Sequence, residues 1–173
     1  MSIEMKVWKF GNNVDTDAIV PARYLSTTDP RELASHVMED TDNPAFKNHY
    51  ASGKNSVEGD VVVAGFNFGS GSSREHAPIA IKAAGIKYVI AQSFARIFYR
   101  NAFNIGLTLI ECPEAEKIQQ GDNIEVLVNE GIIKNSRNGE TYQFSPIPEF
   151  MQQLIAEGGV VEYRAKRMGY KKN

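Results

Sequence analysis

The stretch from Gly59 to Gly106 limits what this chain can fold into more than any other. At its centre stands Phe68-Gly69-Ser70-Gly71-Ser72-Ser73-Arg74-Glu75-His76. Ahead of it runs Val61-Val62-Val63-Ala64-Gly65, short, apolar and β-branched, the composition of a buried strand. Behind it, Ala77 to Gly85 reads as a short helix. Pro78 is tolerable only in the first turn, where its missing N–H is no loss, and Gly85 sits where a helix-ending glycine belongs. Ser72 and Glu75 have capping-box spacing. The glycine- and serine-rich segment is therefore expected to be a strand-to-helix turn with free backbone N–H groups, which attracts anions. Arg74 adds a forked positive charge suited to gripping a carboxylate.

The flanking segments extend this unit. Tyr88-Val89-Ile90-Ala91 reads as a second buried strand, Ser93 can cap a helix running to about Asn104 that Gly106 closes, and Leu107 to Glu111 supplies a third strand. Such β-α-β-α-β alternation predicts a parallel sheet with right-handed crossovers. Met5 to Phe10 alternates well enough for an earlier strand, ended by Gly11-Asn12-Asn13. From Asp122 onward the style changes. Ile124 to Val128, Ile132 to Lys134 and Thr141 to Phe144 look like short antiparallel strands, with Asn138-Gly139 as a hairpin turn. Asp29 is a good N-cap and Pro30 a good first residue for a helix through about Met38, and Glu149 to Glu157 forms a last helix stopped by Gly158-Gly159. Glu39 to Lys54 is polar without a period and reads as a mobile loop. The basic end (Arg164, Lys166, Arg167, Lys171, Lys172) reads as a solvated terminus. At 173 residues the expectation is one α/β domain over 1–173, with a flexible loop at about 39–56 and a tail at about 165–173.

Several function classes drop away. A formal charge of −2 gives no reason to expect nucleic acid. No apolar run approaches the roughly 20 residues needed to span a bilayer, and no signal-peptide core is seen, so a cytoplasmic protein with no membrane partner is expected. The one cysteine, Cys112, allows no internal disulfide, and a cluster or a cysteine-based zinc site would need ligands from elsewhere. The central turn is not a Walker A loop, because no Gly-Lys-Ser/Thr follows. It is not a dinucleotide fingerprint, because Arg74 stands where the third glycine should be, and it is not a nucleophile elbow. Serines in such a turn often do no more than cap the helix. Three of them beside an arginine, a histidine and two glycines favour an anion site. His76 reads either as a packed histidine or as a base. His36 and His49 carry no metal spacing. Arg96 and Arg100 share a helix face, open to salt bridges or to a ligand. Asp15-Thr16-Asp17 could open a metal loop, but it lacks the later glycine and glutamate of an EF-hand. A turn bonded to local backbone is the simpler reading.

Taken together, three segments resemble the small-subunit family of 3-isopropylmalate dehydratase, the separate-chain version of the swivelling domain of aconitase. They are Asp15-Thr16-Asp17 with Pro21-Ala22-Arg23-Tyr24-Leu25, then Phe66 to Pro78, then Ser93 to Ala102. The resemblance covers nearly the whole chain in the expected order, and Gly71-Ser72-Ser73-Arg74-Glu75-His76 is highly specific. It implies a swivelling β/β/α fold with a parallel β-α-β-α-β core and additional antiparallel strands. It also implies a large partner subunit, in a heterodimer or heterotetramer, that carries a [4Fe–4S] cluster on three cysteines. This chain would bind no cofactor or metal itself. The family interconverts 2- and 3-hydroxy acids by removing water and returning it the other way, and for this chain the role implied is in leucine biosynthesis. By similarity to aconitase, Ser72 is the base, acting as an alkoxide. Arg74 clamps a substrate carboxylate and steadies the aci-carboxylate. Asp17 matches the family's acid at the Asp-Thr-Asp turn. Arg23 is carried over as a second carboxylate contact, and Ser73 and Gly71 belong to the site through their place in the turn.

In the family, the loop after Tyr24-Leu25 reaches toward the substituent that distinguishes substrates. Here it brings Ser26 and Thr27, small and polar, which suit homoaconitate or dimethylmalate at least as well as an isopropyl group. Two readings from other classes stand beside the enzyme: a non-catalytic anion-binding regulatory module, and a structural subunit whose partner does all the chemistry.

Overall fold

The computed structural model describes residues 3–50, 57 and 59–169. Among the described residues seven strands, β1 (Met5–Lys9), β2 (Val61–Ala64), β3 (Tyr88–Ala91), β4 (Thr108–Glu111), β5 (Asn123–Leu127), β6 (Ile132–Asn135) and β7 (Thr141–Gln143), form one sheet. Its order is β4-β3-β2-β1-β5-β6-β7. From β1 to β4 the strands are parallel, in the register Val7↔Val61, Val61↔Tyr88 and Tyr88↔Thr108. From β1 through β5 to β7 they are antiparallel. Strand β1 thus joins two halves of different construction. The β-branched run at β2 is buried along its whole length, as a central parallel strand covered on both faces must be.

Seven helices accompany the sheet among the described residues: α1 (Thr16–Ile19), α2 (Pro30–Ser35), α3 (Pro44–Tyr50), α4 (His76–Ala83), α5 (Arg96–Asn104), α6 (Glu149–Glu157) and α7 (Val160–Arg167). The expected β-α-β-α-β unit is β2-α4-β3-α5-β4, an α/β fold with an antiparallel extension. Asp29 caps α2 through the Arg31 N–H, and Pro30 is its first residue. Gly85, Gly106 and Gly158 lie in the left-handed region just past their helices. The Asn138-Gly139 hairpin forms as expected, with the Gly139 N–H donating to Asn135 O at 2.9 Å.

Three local expectations are corrected. The segment read as a mobile loop from Glu39 contains α3. Asn43 Oδ1 accepts from the Phe46 N–H at 3.0 Å, and Phe46 buries itself edge-on against Trp8 and Phe10. One aromatic anchor on a seven-residue helix leaves too little period to see in the sequence. Residues 51–54 of that expected loop lie outside the described residues. The basic end is helical in α7 through Arg167, while Lys171 and Lys172 lie outside the described residues. Ser93 does not cap α5. Its hydroxyl oxygen accepts from the Asn67 N–H at 2.8 Å, and the helix starts at Arg96 after an extended Ala95.

Candidate active site

Because β1, β2 and β3 run parallel, the segments that follow them emerge at the same edge, where α/β sheets hold ligands. The central turn is clamped there from both sides. On the β3 side, the Phe68 N–H donates to Ser93 O at 3.1 Å and Ala95 N–H returns to Phe68 O at 3.0 Å. On the β1 side, Gly69 N–H donates to Val14 O, Thr16 N–H to Ser70 O, and Thr16 Oγ1 to Ser72 O at 2.8 Å. Gly69 has φ +84°, and a Cβ there would lie 2.2 Å from the Phe98 ring, so only glycine lets the chain cross this aromatic floor.

The capping box between Ser72 and Glu75 does not form. Helix α4 begins at His76, and its cap Glu75 is helical with no side-chain bond. Ser72 lies ahead of the helix, exposed, with its carbonyl held by Thr16. Its hydroxyl, and the N–H groups of Ser72 to Glu75, have no hydrogen-bond partner among the described residues. The chain thus presents an open row of donors beside a free hydroxyl, the composition of an oxyanion site. Ser73 is exposed in the same turn, and His76 is half-buried in the first turn of α4.

The Asp-Thr-Asp segment divides its work. Asp15 caps α1, its Oδ1 accepting from the Ala18 N–H at 2.7 Å, and Thr16 clamps the serine turn. Asp17, at 60% side-chain exposure, accepts from Arg74 Nη1 at 2.5 Å. Arg74 is more enclosed, at 19%, and its reach also brings Nη1 to 3.5 Å from Val20 O. The local-backbone reading therefore holds for Asp15 alone: Thr16 bonds the backbone of the serine turn, 56 residues away, and Asp17 points its charge at the arginine.

Arg23 lies in a single 3₁₀ turn, Ala22–Tyr24. Both its terminal nitrogens donate to Asp40, each at 2.8 Å, and Nη2 lies 3.5 Å from Glu39. The fork raises the Arg23 pKa, and the Asp40 carboxyl is held below the ordinary carboxylate value. A cleft of about 400 Å³ is lined by Asp15, Asp17, Ala18, Arg23 and Asp40 among others. The structure thus brings Asp17, Arg74 and Arg23 to one place, with Gly71 and Ser72 alongside. An added Cβ on Gly71 would sit 3.4 Å from that of Asp15. Ser26 and Thr27 follow Arg23 at the surface. Thr27 Oγ1 accepts from the Asp29 N–H, and neither bonds to the serine turn. The sequence gives no signal for Asp40, which lies in a segment without periodicity, and little for Thr16, which sits between the two acids of its motif.

Arg96 and Arg100 line a separate groove of about 460 Å³ with Phe94, Tyr99, Phe150 and Met151. Cys112 is buried, its thiol pushed up by burial and donating to Gln143 O at 3.5 Å, so it is neither a nucleophile nor an exposed ligand. Among the described residues no group of three or more His, Cys, Asp or Glu is placed to hold a metal ion, and no helix is long and apolar enough to cross a membrane.

Comparison with known proteins agrees with this architecture. Residues 5–115 match the aconitase C-terminal domain family. The chain is 59% identical over 163 residues to a 3-isopropylmalate dehydratase small subunit of Nautilia profundicola, covering 94% of this chain and 93% of that one. It is 55% identical over 172 residues to the Aquifex aeolicus small subunit, covering 99% of both. The crystal structure of a 3-isopropylmalate dehydratase from Methanocaldococcus jannaschii superimposes with a TM-score of 0.86 at 48% identity, over 97% of this chain and 96% of that one. Full-length identity at this level, on the same fold, places the chain in the 3-isopropylmalate dehydratase small-subunit family, of aconitase C-terminal domain type.

Proposed function

We propose that this chain is the small subunit of an aconitase-type hydro-lyase. It works in the cytoplasm with a large subunit to interconvert 2-isopropylmalate and 3-isopropylmalate in leucine biosynthesis. The observation that carries the reading is the exposed Ser72 turn, its carbonyl pinned by Thr16 and its donors unfilled, beside the Arg74–Asp17 pair. The relatives' names favour isopropylmalate over homoaconitate or dimethylmalate acids. A [4Fe–4S] cluster on the large subunit would supply the Lewis acid that takes the departing hydroxyl. This chain's single, buried cysteine suits that division, since it could not hold such a cluster.

The remaining tasks fall on residues described above. Ser72 removes the proton from the carbon beside a carboxylate and returns it in the reverse sense. A serine hydroxyl is a weak base at neutral pH, so its alkoxide needs stabilisation from the N–H groups of the turn and from Arg74. Arg74 grips the carboxylate next to that carbon and balances the second negative charge as the aci-form develops. Asp17 holds the Arg74 guanidinium in its plane. Arg23 receives the substrate's other carboxylate, Ser73 and Gly71 contribute backbone donors, and Ser26 and Thr27 lie toward the substituent. The chain acts as one swivelling domain over 1–173.

The test is turnover. The chain, mixed anaerobically with a cluster-loaded large subunit, is offered 2-isopropylmalate, homocitrate-type and dimethylmalate substrates. The proposal expects isomerisation of isopropylmalate only when both chains are present. Tight binding of an acid by this chain alone, with no turnover of any acid by the complex, would instead favour a regulatory binding module.

A further inference from the structure

Both arginines of the candidate site, Arg23 in the cleft and Arg74 beside it, are already engaged by carboxylates of the chain itself. Arg74 holds Asp17, and Arg23 offers both terminal nitrogens to the two oxygens of Asp40, at 2.8 Å each. The second arrangement is the fork in which a guanidinium receives any planar carboxylate, a substrate's included.

Asp40 is aimed at this position by its surroundings. Met38, buried and with φ +58°, donates its N–H to Ile19 O at 2.9 Å, and Thr41 Oγ1 donates to Met38 O at 2.6 Å. Segment 38–41 is thereby pinned to the end of α1, the helix that carries Asp17. On the other flank His36 stacks on Tyr24 with ring centroids 3.6 Å apart, and the Arg23 guanidinium lies over the Tyr24 ring at 4.8 Å. The charges in the cleft are informative as well. Asp15, Asp17 and Asp40 line the cleft with Arg23, Glu39 lies 3.5 Å from Arg23 Nη2, and Arg74 is joined through Asp17, so the acids outnumber the arginines. A dicarboxylate entering such a cleft is repelled unless an aspartate gives up its arginine.

We propose that Asp40 is a positioning residue that mimics a substrate carboxylate. It keeps Arg23 extended over the cleft and is displaced from the terminal fork when the substrate binds, and so it sets the affinity of the assembled enzyme for its acid. This rests on the function proposed above.

The test uses the assembled two-chain enzyme carrying Asp40→Asn. KM for 2-isopropylmalate falls about two- to five-fold, the scale of losing an exposed competing ion pair, while kcat stays within about two-fold. Asp40→Glu, which keeps a carboxylate in reach, restores the wild-type KM. In an Arg23→Gln background Asp40→Asn changes nothing. A KM that is unchanged or raised in Asp40→Asn overturns the inference, and so does an equal fall in the Arg23→Gln background. Calorimetric binding of 2-isopropylmalate and succinate to the same complexes reads affinity without turnover. An enzyme inactive on every acid defeats the proposed function, while these affinities still decide the inference: tighter binding by Asp40→Asn supports it, and equal, weaker or absent binding overturns it.

Discussion

Two of the aspartate–arginine pairs among the described residues, one beside the antiparallel half of the sheet and one beside the parallel half, differ in chemistry because their surroundings do. In the antiparallel half, Asp122 is 3% exposed and saturated. Arg137 Nε donates to it at 2.7 Å, the Gln119 N–H at 2.8 Å and Asn135 Nδ2 at 2.9 Å. Burial works against that charge, yet the three donors outweigh it and hold the carboxyl below its ordinary value. In the parallel half, Asp17 is largely exposed and bonds to Arg74 alone, beside a turn whose N–H groups point at nothing in the described chain. A saturated pair ties β5 and β6 to the loop before them. An unsaturated pair keeps capacity for a ligand. Full coordination marks a structural pair here, and spare coordination is what the proposed function draws on.

The comparison can be broken from either side. Arg74→Gln removes the forked grip on a carboxylate, so kcat/KM of the assembled enzyme is expected to fall by about 10²- to 10³-fold with the thermal midpoint nearly unchanged. Steady-state kinetics beside calorimetry checks both halves of that statement. Asp122→Ala should do the opposite. It strands Asn135 and the Gln119 N–H in a buried site and costs about 2–3 kcal/mol of stability, with activity per folded molecule retained. Urea unfolding measures it. Asp15→Ala tests the boundary between the two classes, since this residue caps the helix that carries Asp17. The lost cap should cost about 1 kcal/mol and lower kcat only mildly. The smallest effect is in pH. Asp122 titrates lower in the folded chain than in the unfolded one, so its contribution is complete above the ordinary carboxylate pKa and is lost as pH falls through the depressed value. Acid unfolding followed by circular dichroism should therefore be less steep in Asp122→Asn than in the natural chain.

Much of this was readable from residues. The β-branched run at 61–64 and the glycines at 85, 106 and 158 mark strand and helix ends by backbone physics alone, and the structure places them so. The serine turn announced itself by composition. What stayed hidden depends on contacts between distant segments. Ser72 and Ser93 both had the look of caps, but their neighbours in space, Thr16 and Asn67, lie 56 and 26 residues away and assign them other tasks. Helix α3 is held by Phe46 against Trp8 and Phe10, a tertiary contact with no local period. The Arg23–Asp40 fork spans 17 residues and ends on an aspartate just past the expected helix, at the start of the segment that reads as loop.

The central claim is that the unsaturated turn carries the chemistry while the saturated pair carries stability. The direct measurement is kcat and thermal midpoint of Ser72→Ala in the assembled enzyme, set beside Asp122→Ala. The account predicts that Ser72→Ala lowers kcat by about 10³-fold or more with an unshifted midpoint, while Asp122→Ala lowers the midpoint by roughly 5–10 °C and leaves kcat intact. A Ser72→Ala enzyme that assembles and turns over near the natural rate would contradict it, and would leave this chain as a structural subunit.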